Sequence, residues 1–261
     1  MIPAIDLDHI ALAFEDRHPG QQRYAGELGG EWVGGGADPG FWSEQVRFAN
    51  GMKVELLEPL DVEANDFLRR FLDRNGPGPH HLTFKVQDIA GALALVEEAG
   101  YRPVGVNLAN EHWKEAFLHP KDAPGVVVQL AQSLEGGDWG VPVPPGYPTA
   151  AGHPATLVRV VHAVRTLEVG VRLFARLLAG QEVGRGEDEA GSWIDLAWPG
   201  PGRVRLIEPA APTSPIATWL DGREGRIHHL EFDLPGAGET REVAPEENNG
   251  ARLVIRDGST G

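Results

Sequence analysis

Gly78-Pro79-His80-His81-Leu82-Thr83-Phe84-Lys85-Val86 decides how this chain is read, because its centre returns downstream as His228-His229-Leu230-Glu231-Phe232. The surroundings return with it. Glu58-Pro59 and Phe71-Leu72-Asp73 precede the first copy, and Glu208-Pro209 and Trp219-Leu220-Asp221 precede the second. Further upstream, Tyr24-Ala25-Gly26-Glu27-Leu28-Gly29-Gly30 matches Phe174-Ala175-Arg176-Leu177-Leu178-Ala179-Gly180. Self-similarity over such a span is the mark of a duplicated structural unit.

Each copy contains a shorter repeat. Asp8-His9-Ile10-Ala11-Leu12-Ala13-Phe14 has the alternation of a half-buried strand, as does the stretch from His80 to Val86. A helical stretch follows each, Gln21 to Leu28 in one case and Asp88 to Ala99 in the other. Asp88 is placed to cap the second helix and Gly100 to stop it. Apolar strands then close the units, Val54-Glu55-Leu56-Leu57 and Val126-Val127-Val128-Gln129-Leu130. The predicted fold is α+β: two tandem domains, each of paired βαβββ units forming an incomplete barrel around a cleft. The domains span residues 1–132 and 155–261. Residues 133–154, with Val141-Pro142-Val143-Pro144-Pro145-Gly146-Tyr147-Pro148, read as an extended linker. Pro and Gly between Leu234 and Asn249 predict that the last quarter has lost its helix.

Composition narrows the function. The 261 residues include no cysteine, which excludes disulfides, thiolate metal sites and cysteine nucleophiles. Met1 to Asp6 carry no basic, then apolar, leader pattern, and no apolar run reaches the ~20 residues of a membrane span. The expected location is cytoplasmic. A formal charge of −15 repels nucleic acid and anionic lipid, which leaves a small-molecule substrate as the expected partner. The repeats that form each cleft lie within one chain, so a monomer is sufficient and a homodimer is the alternative.

Four polar side chains fall at matching places of the internal repeat. His9 and His81 lie in equivalent strands, and Glu55 and Gln129 in the closing strands. A pseudo-twofold pairing of the units would bring them to one point. Two imidazoles, a carboxylate and an amide suit Zn, Co, Ni, Mn or Fe(II). With four protein ligands, an octahedral ion keeps two positions for neighbouring substrate oxygens and acts as a Lewis acid.

These segments resemble the vicinal-oxygen-chelate superfamily, and within it methylmalonyl-CoA epimerase. The resemblance is carried by Asp8-His9-Ile10-Ala11, Val54-Glu55-Leu56-Leu57-Glu58-Pro59-Leu60, Gly78 to Phe84, and Ala116-Phe117-Leu118-His119-Pro120-Lys121 leading to Gly125 to Leu130. It implies His9, Glu55, His81 and Gln129 as ligands of a divalent metal ion. It also implies two glutamates that exchange the α-proton of the substrate on opposite faces. Their positions fall on Gln129 and on Gln45, with Glu44 beside it, and an amide is no general base near neutral pH. Glu44, brought inward by a one-residue bulge, and Glu55 are then the candidate catalytic bases.

The second domain departs from this pattern. Arg159, Arg205 and His229 stand at the first three ligand positions, and Val254 or Arg256 at the fourth. Arginines there suit either an anion pocket or ion pairs with Asp195 or Glu231. Trp32, Phe41, Trp42 and Trp113 either line a pocket mouth or pack, and Lys121 either meets a CoA phosphate or closes a turn. The functional expectation is a metal-dependent isomerase or lyase of the glyoxalase/epimerase type, acting through an enolate of a small substrate with vicinal oxygens. The rival readings are a non-catalytic antibiotic-sequestering protein, as in bleomycin resistance, and an extradiol-type dioxygenase using an iron facial triad.

Overall fold

A computed structural model describes residues 1–133, 140–150 and 152–258. The linker reading at 134–139 and at 151 lies outside the described residues. In the first half, β1 (Ile5–Ala13), β2 (Glu31–Asp38), β3 (Phe41–Arg47), β4 (Lys53–Pro59), β5 (Gly78–Val86), β6 (Pro103–Asn107), β7 (Trp113–Leu118) and β8 (Val127–Ser133) form one sheet. Its order is β2-β3-β4-β1-β5-β8-β7-β6. Helices α1 (His18–Gln21), α2 (Phe67–Asn75) and α3 (Ile89–Glu98) interrupt the strands. In the second half, β9 (Thr156–Val164), β10 (Gln181–Glu187), β11 (Gly191–Ala197), β12 (Arg203–Pro209), β13 (Gly225–Leu234), β14 (Arg241–Val243) and β15 (Leu253–Asp257) form the other sheet, with α4 (Leu167–Val171) and α5 (Pro215–Leu220). Its order is β10-β11-β12-β9-β13-β15-β14. The fold is α+β, with two halves of like topology.

The strand-to-strand logic is the same four times. The first strand of each quarter pairs in parallel with the last: β1 with β4, β5 with β8, β9 with β12 and β13 with β15. After β13 the chain passes through β14 and a short turn, Pro245–Glu247, with no α-helix among the described residues there, as the Pro and Gly content predicts. Asp88 caps α3 by accepting from the Gly91 backbone N–H, and Gly100 follows in the left-handed region.

The duplication extends to irregular backbone. Helix α1 widens into π turns over Gln22–Glu27, and α4 does the same over Arg172–Leu177. The wide turns close through Leu28 N–H to Arg23 O at 3.0 Å and Leu178 N–H to Leu173 O at 2.9 Å. Gly29 and Ala179 then take positive φ at the same step, +73° and +58°.

Contacts divide the chain into two units, each drawn from both sequence halves. The first comprises Met1–Asp8, His81–Glu135 and Arg159–His228. In its core Phe84 meets Phe174 and Trp198, with ring centroids 6.4 and 5.2 Å apart. Trp198 donates its indole N–H to Leu178 O. The second unit comprises His9–His80, Gly136–Val158 and His229–Gly261. There Phe232, the repeat partner of Phe84, meets Tyr24 and Phe48 at 6.4 and 5.0 Å. The buried Tyr24 hydroxyl accepts from Asn248, which satisfies it away from water.

Helix α2 covers the apolar end of a sheet face: Leu68 and Leu72 pack on Ala11, Ala13 and Leu57, with Phe41, Phe67 and Phe71 at the edge. Helix α5 repeats the arrangement, placing Ile216 and Leu220 on Val161, Ala163 and Ile207. The rest of the face that α2 leaves open carries polar residues. No helix among the described residues is long and apolar enough to cross a membrane.

Candidate metal centre

Strand register decides which side chains share a face. Side chains alternate along a strand, and cross-strand partners point the same way. Glu55 is opposite Ala11 on β1 and Gln45 on β3. His9, two residues before Ala11, therefore lies on the face of Glu55 and Gln45. On the neighbouring hairpin arm, Gly34 opposes Gln45 and Asp38 opposes Phe41, which puts Asp38 on that face too. In β5 and β8, Thr83 opposes Gln129 and His81 opposes Val127, so His81, Thr83 and Gln129 share one face.

His9, Glu55 and His81 converge. Each offers one ligand atom, and the three atoms lie within 4.8 Å of one another. All three residues are buried, with exposures of 1, 8 and 5%. His9 Nε2 is 3.5 Å from Glu55 Oε2, the spacing expected of two ligands about 2.1 Å from a tetrahedral ion. The other carboxylate oxygen, Oε1, is 3.4 Å from the Gln45 amide nitrogen. Two imidazole nitrogens and a carboxylate, gathered out of water, fit a borderline divalent cation such as zinc, cobalt, nickel or iron(II). No other group of three such donors converges among the described residues.

Gln129 is held by its own neighbours. The Thr83 hydroxyl donates to its Oε1 at 2.6 Å, and its Nε2 donates to Glu115 Oε2 at 2.7 Å. Glu115 shares this face of β7, because Phe117, two residues on, opposes Gln129.

Glu44 is not brought to Glu55. β3 pairs with β4 residue by residue from Phe41 to Arg47, with no bulge, and Glu44 opposes Leu56. Its side chain leaves by the other face and is buried there among donors: Arg17 at 3.2 Å, Gln21 at 3.1 Å, Trp42 at 2.9 Å and the Tyr147 hydroxyl at 3.2 Å. Arg17 also binds Glu58 at 2.7 Å and lies over the Trp42 ring. An inward Glu44 would have to leave this network.

The paired histidines divide their work. Burial pushes the His80 imidazole down to about 4, and its ring packs against Phe67 and Phe71. His228, its repeat partner, packs on Trp219. The tryptophans and Phe41 all have packing partners. Trp32 donates to Val141 O and meets Tyr147 edge-on, Trp42 lies under Arg17, Trp113 lies under Lys85, and Phe41 meets Phe67.

Sequence reasoning missed Asp38 and Glu115. Partial burial, and then the negative charge of Glu55, hold the Asp38 carboxyl above the usual range, against a hydrogen bond from Ser43. Asp38 sits before the Pro39-Gly40 turn and reads as a turn residue. Counting alternate positions from Gly34 would have placed it on the site face.

In the second half, the residues at ligand positions are tied into ion pairs. Arg205 grips Asp195 with two bonds of 2.7 Å, Arg159 adds a third at 2.8 Å, and Arg205 also stacks on Trp193. Burial raises the Asp195 carboxyl, but the hydrogen bonds and charges of the two arginines outweigh it and hold it below the usual range. Arg256 binds Glu231 at 2.6 Å, and His229 lies 3.3 Å from the same carboxylate. This arrangement matches the ion-pair reading.

Comparisons with known proteins agree with these features. Residues 8–117 match the family described as the Glyoxalase/Bleomycin resistance protein/Dioxygenase superfamily. Over 132 residues the chain is 36% identical to the ethylmalonyl-CoA/methylmalonyl-CoA epimerase of Cereibacter sphaeroides, covering 48% of this chain and 96% of that protein. It is 33% identical over 132 residues to the mitochondrial methylmalonyl-CoA epimerase of Bos taurus, covering 49% of this chain and 74% of the relative. A crystal structure of a hypothetical protein from Staphylococcus aureus shares the fold over 97% of this chain and 99% of its own, with a TM-score of 0.65 at 12% identity.

Proposed function

Because the chain belongs to the glyoxalase/bleomycin resistance protein/dioxygenase superfamily, we propose that it is a metal-dependent isomerase, moving a proton beside the carbonyl of a small acyl-CoA ester. The convergence of His9, Glu55 and His81 carries this reading, since it joins a cation-competent donor set to a half that is 36% identical to an acyl-CoA epimerase. His9, Glu55 and His81 would hold the ion, with the amide oxygen of Gln129 as a further donor. When bound, such an ion supplies Lewis acidity toward neighbouring substrate oxygens.

Asp38 is the base we assign. It lies on the face of Glu55, its carboxyl reaches solvent, and its raised proton affinity suits a group that must take and return a proton. Glu55 serves as a ligand in this reading, and Glu44 as structure.

The test follows deuterium entry from D2O at the α-carbon of methylmalonyl-CoA, by proton NMR, with Co²⁺ supplied. Wild type should exchange, His81→Ala should not, and Asp38→Asn should be at least ~100-fold slower. No exchange by wild type with any of Zn²⁺, Co²⁺, Ni²⁺ or Mn²⁺ would refute the proposal. The two-histidine, one-carboxylate set also suits iron(II). Oxygen uptake with catechols and Fe²⁺ would therefore favour the dioxygenase reading.

A further inference from the structure

Gln129 stands where the related epimerases are expected to carry a carboxylate. A neutral amide is a poorer ligand, and it has a second defect: it can turn over and present nitrogen, which donates hydrogen bonds and cannot bind a cation. Something must choose its orientation.

The neighbours make that choice through a chain of obligate donors. The Trp113 indole N–H can only donate, and it reaches Glu115 Oε2 at 2.9 Å. An ionised carboxylate can only accept. The same Oε2 lies 2.7 Å from the Gln129 amide, so the atom facing it is the nitrogen. The amide oxygen is thereby sent the other way, to Thr83, whose hydroxyl is free to donate at 2.6 Å. Thr83 is on β5, the strand of His81, and Glu115 is on β7, so Nε2 points to one side of β8 and Oε1 to the other. Thr83 alone could not decide this, since a hydroxyl both donates and accepts.

We propose that Glu115 is a positioning residue of the metal site: it captures the amide nitrogen of Gln129 and turns the amide oxygen toward the strand that carries His81. Its charge also polarises the amide and makes that oxygen a stronger donor, as outer partners of metal ligands do. The negative charge that Gln129 lacks is kept one strand away. This inference rests on the metal reading above.

The test uses the full chain, wild type against Glu115→Gln and the double variant Glu115→Gln, Gln129→Glu. Glutamine at 115 keeps the size but accepts or donates, so it no longer dictates the amide. Calorimetric titration with Co²⁺ should show about 10–100-fold weaker binding in Glu115→Gln, with the melting temperature of the metal-free protein unchanged. The double variant puts a carboxylate at 129, held by an amide at 115, and should return to within about threefold of wild type. In the metal-free protein labelled with ¹⁵N-glutamine, the Gln129 side-chain resonance should move toward the free amide position in Glu115→Gln. Wild-type Co²⁺ affinity in Glu115→Gln, or an unmoved resonance, would overturn the inference. A wild type that takes no Co²⁺ while the resonance still moves would overturn the metal reading and leave the capture of the amide standing.

Discussion

Glu44 and Gln45 are neighbours in the chain and leave β3 by opposite faces, Gln45 toward Glu55 and Glu44 into a buried cluster with Arg17, Gln21, Trp42 and Tyr147. A sequence comparison that asks for a glutamate here can be satisfied by either position within one residue of slippage. The sheet cannot, because one residue of slippage reverses the face.

Glu44→Gln should therefore behave as a stability variant. It leaves four donors around a neutral group and removes a buried charge partner of Arg17, at a cost of about 2–3 kcal/mol in urea unfolding. Co²⁺ affinity should stay within about threefold of wild type, whereas Glu55→Gln should lower it at least about tenfold.

His162 gives the fold an acid-sensitive point. Burial lowers its imidazole to about 4, while its ring nitrogen meets Pro124 O at 2.8 Å. The folded value lies below the ordinary 6.5, so the folded state prefers neutral His162. Stability from this group is whole above pH 6.5, falls as pH drops toward 4, and is flat below. Between pH 7 and 5 the loss is about 2 kcal/mol. Chemical denaturation at both values should show a smaller loss, by about that amount, in His162→Gln, which can still donate to Pro124 O.

Gly29 and Ala179 make the same left-handed step in the two halves, yet only one is glycine. Ala179→Gly should raise stability by about 0.5–1 kcal/mol, the left-handed strain relieved less the extra freedom of the unfolded glycine. Gly29→Ala should lower it by more than about 1 kcal/mol, because its Cβ would also press on the Pro154 backbone at 2.8 Å. Thermal unfolding of the two variants should move in opposite directions.

Gly125 admits no side chain. A Cβ there would lie 1.6 Å from Gly225 O, and the backbone holds φ at +70°. Gly125→Ala must separate two stretches of backbone, and should yield a protein without a cooperative thermal transition.

The duplicated architecture was legible because the opening and closing strand patterns recur in all four quarters, with a helical pattern between them in the first three. The convergence of His9, Glu55 and His81 was legible for the same reason, since equivalent positions meet when repeats pair. Asp38 and Glu115 were not. Asp38 precedes a Pro-Gly turn, and Glu115 lies among Trp113-Lys114-Glu115, where alternation alone does not say which side faces Gln129. The face of Glu44 depended on whether β3 carried a bulge, which pairing with β4 settles and composition does not. The π turns also left no mark, because the buried set Tyr24, Ala25 and Leu28 has a spacing that an ordinary α-helix also buries.

Phe84 and Phe232 are repeat partners, and each is buried against aromatic rings contributed by the opposite half of the sequence. The two halves are thus interleaved like joinery: neither has a complete interior of its own. This bears on why a half whose ligand positions hold Arg159 and Arg205 persists at all. Phe174 and Trp198, both from that half, are the wall behind Phe84 on the strand of His81, so the half cannot be removed without opening that interior. The second half is bound by the shape it presents inward to Phe84.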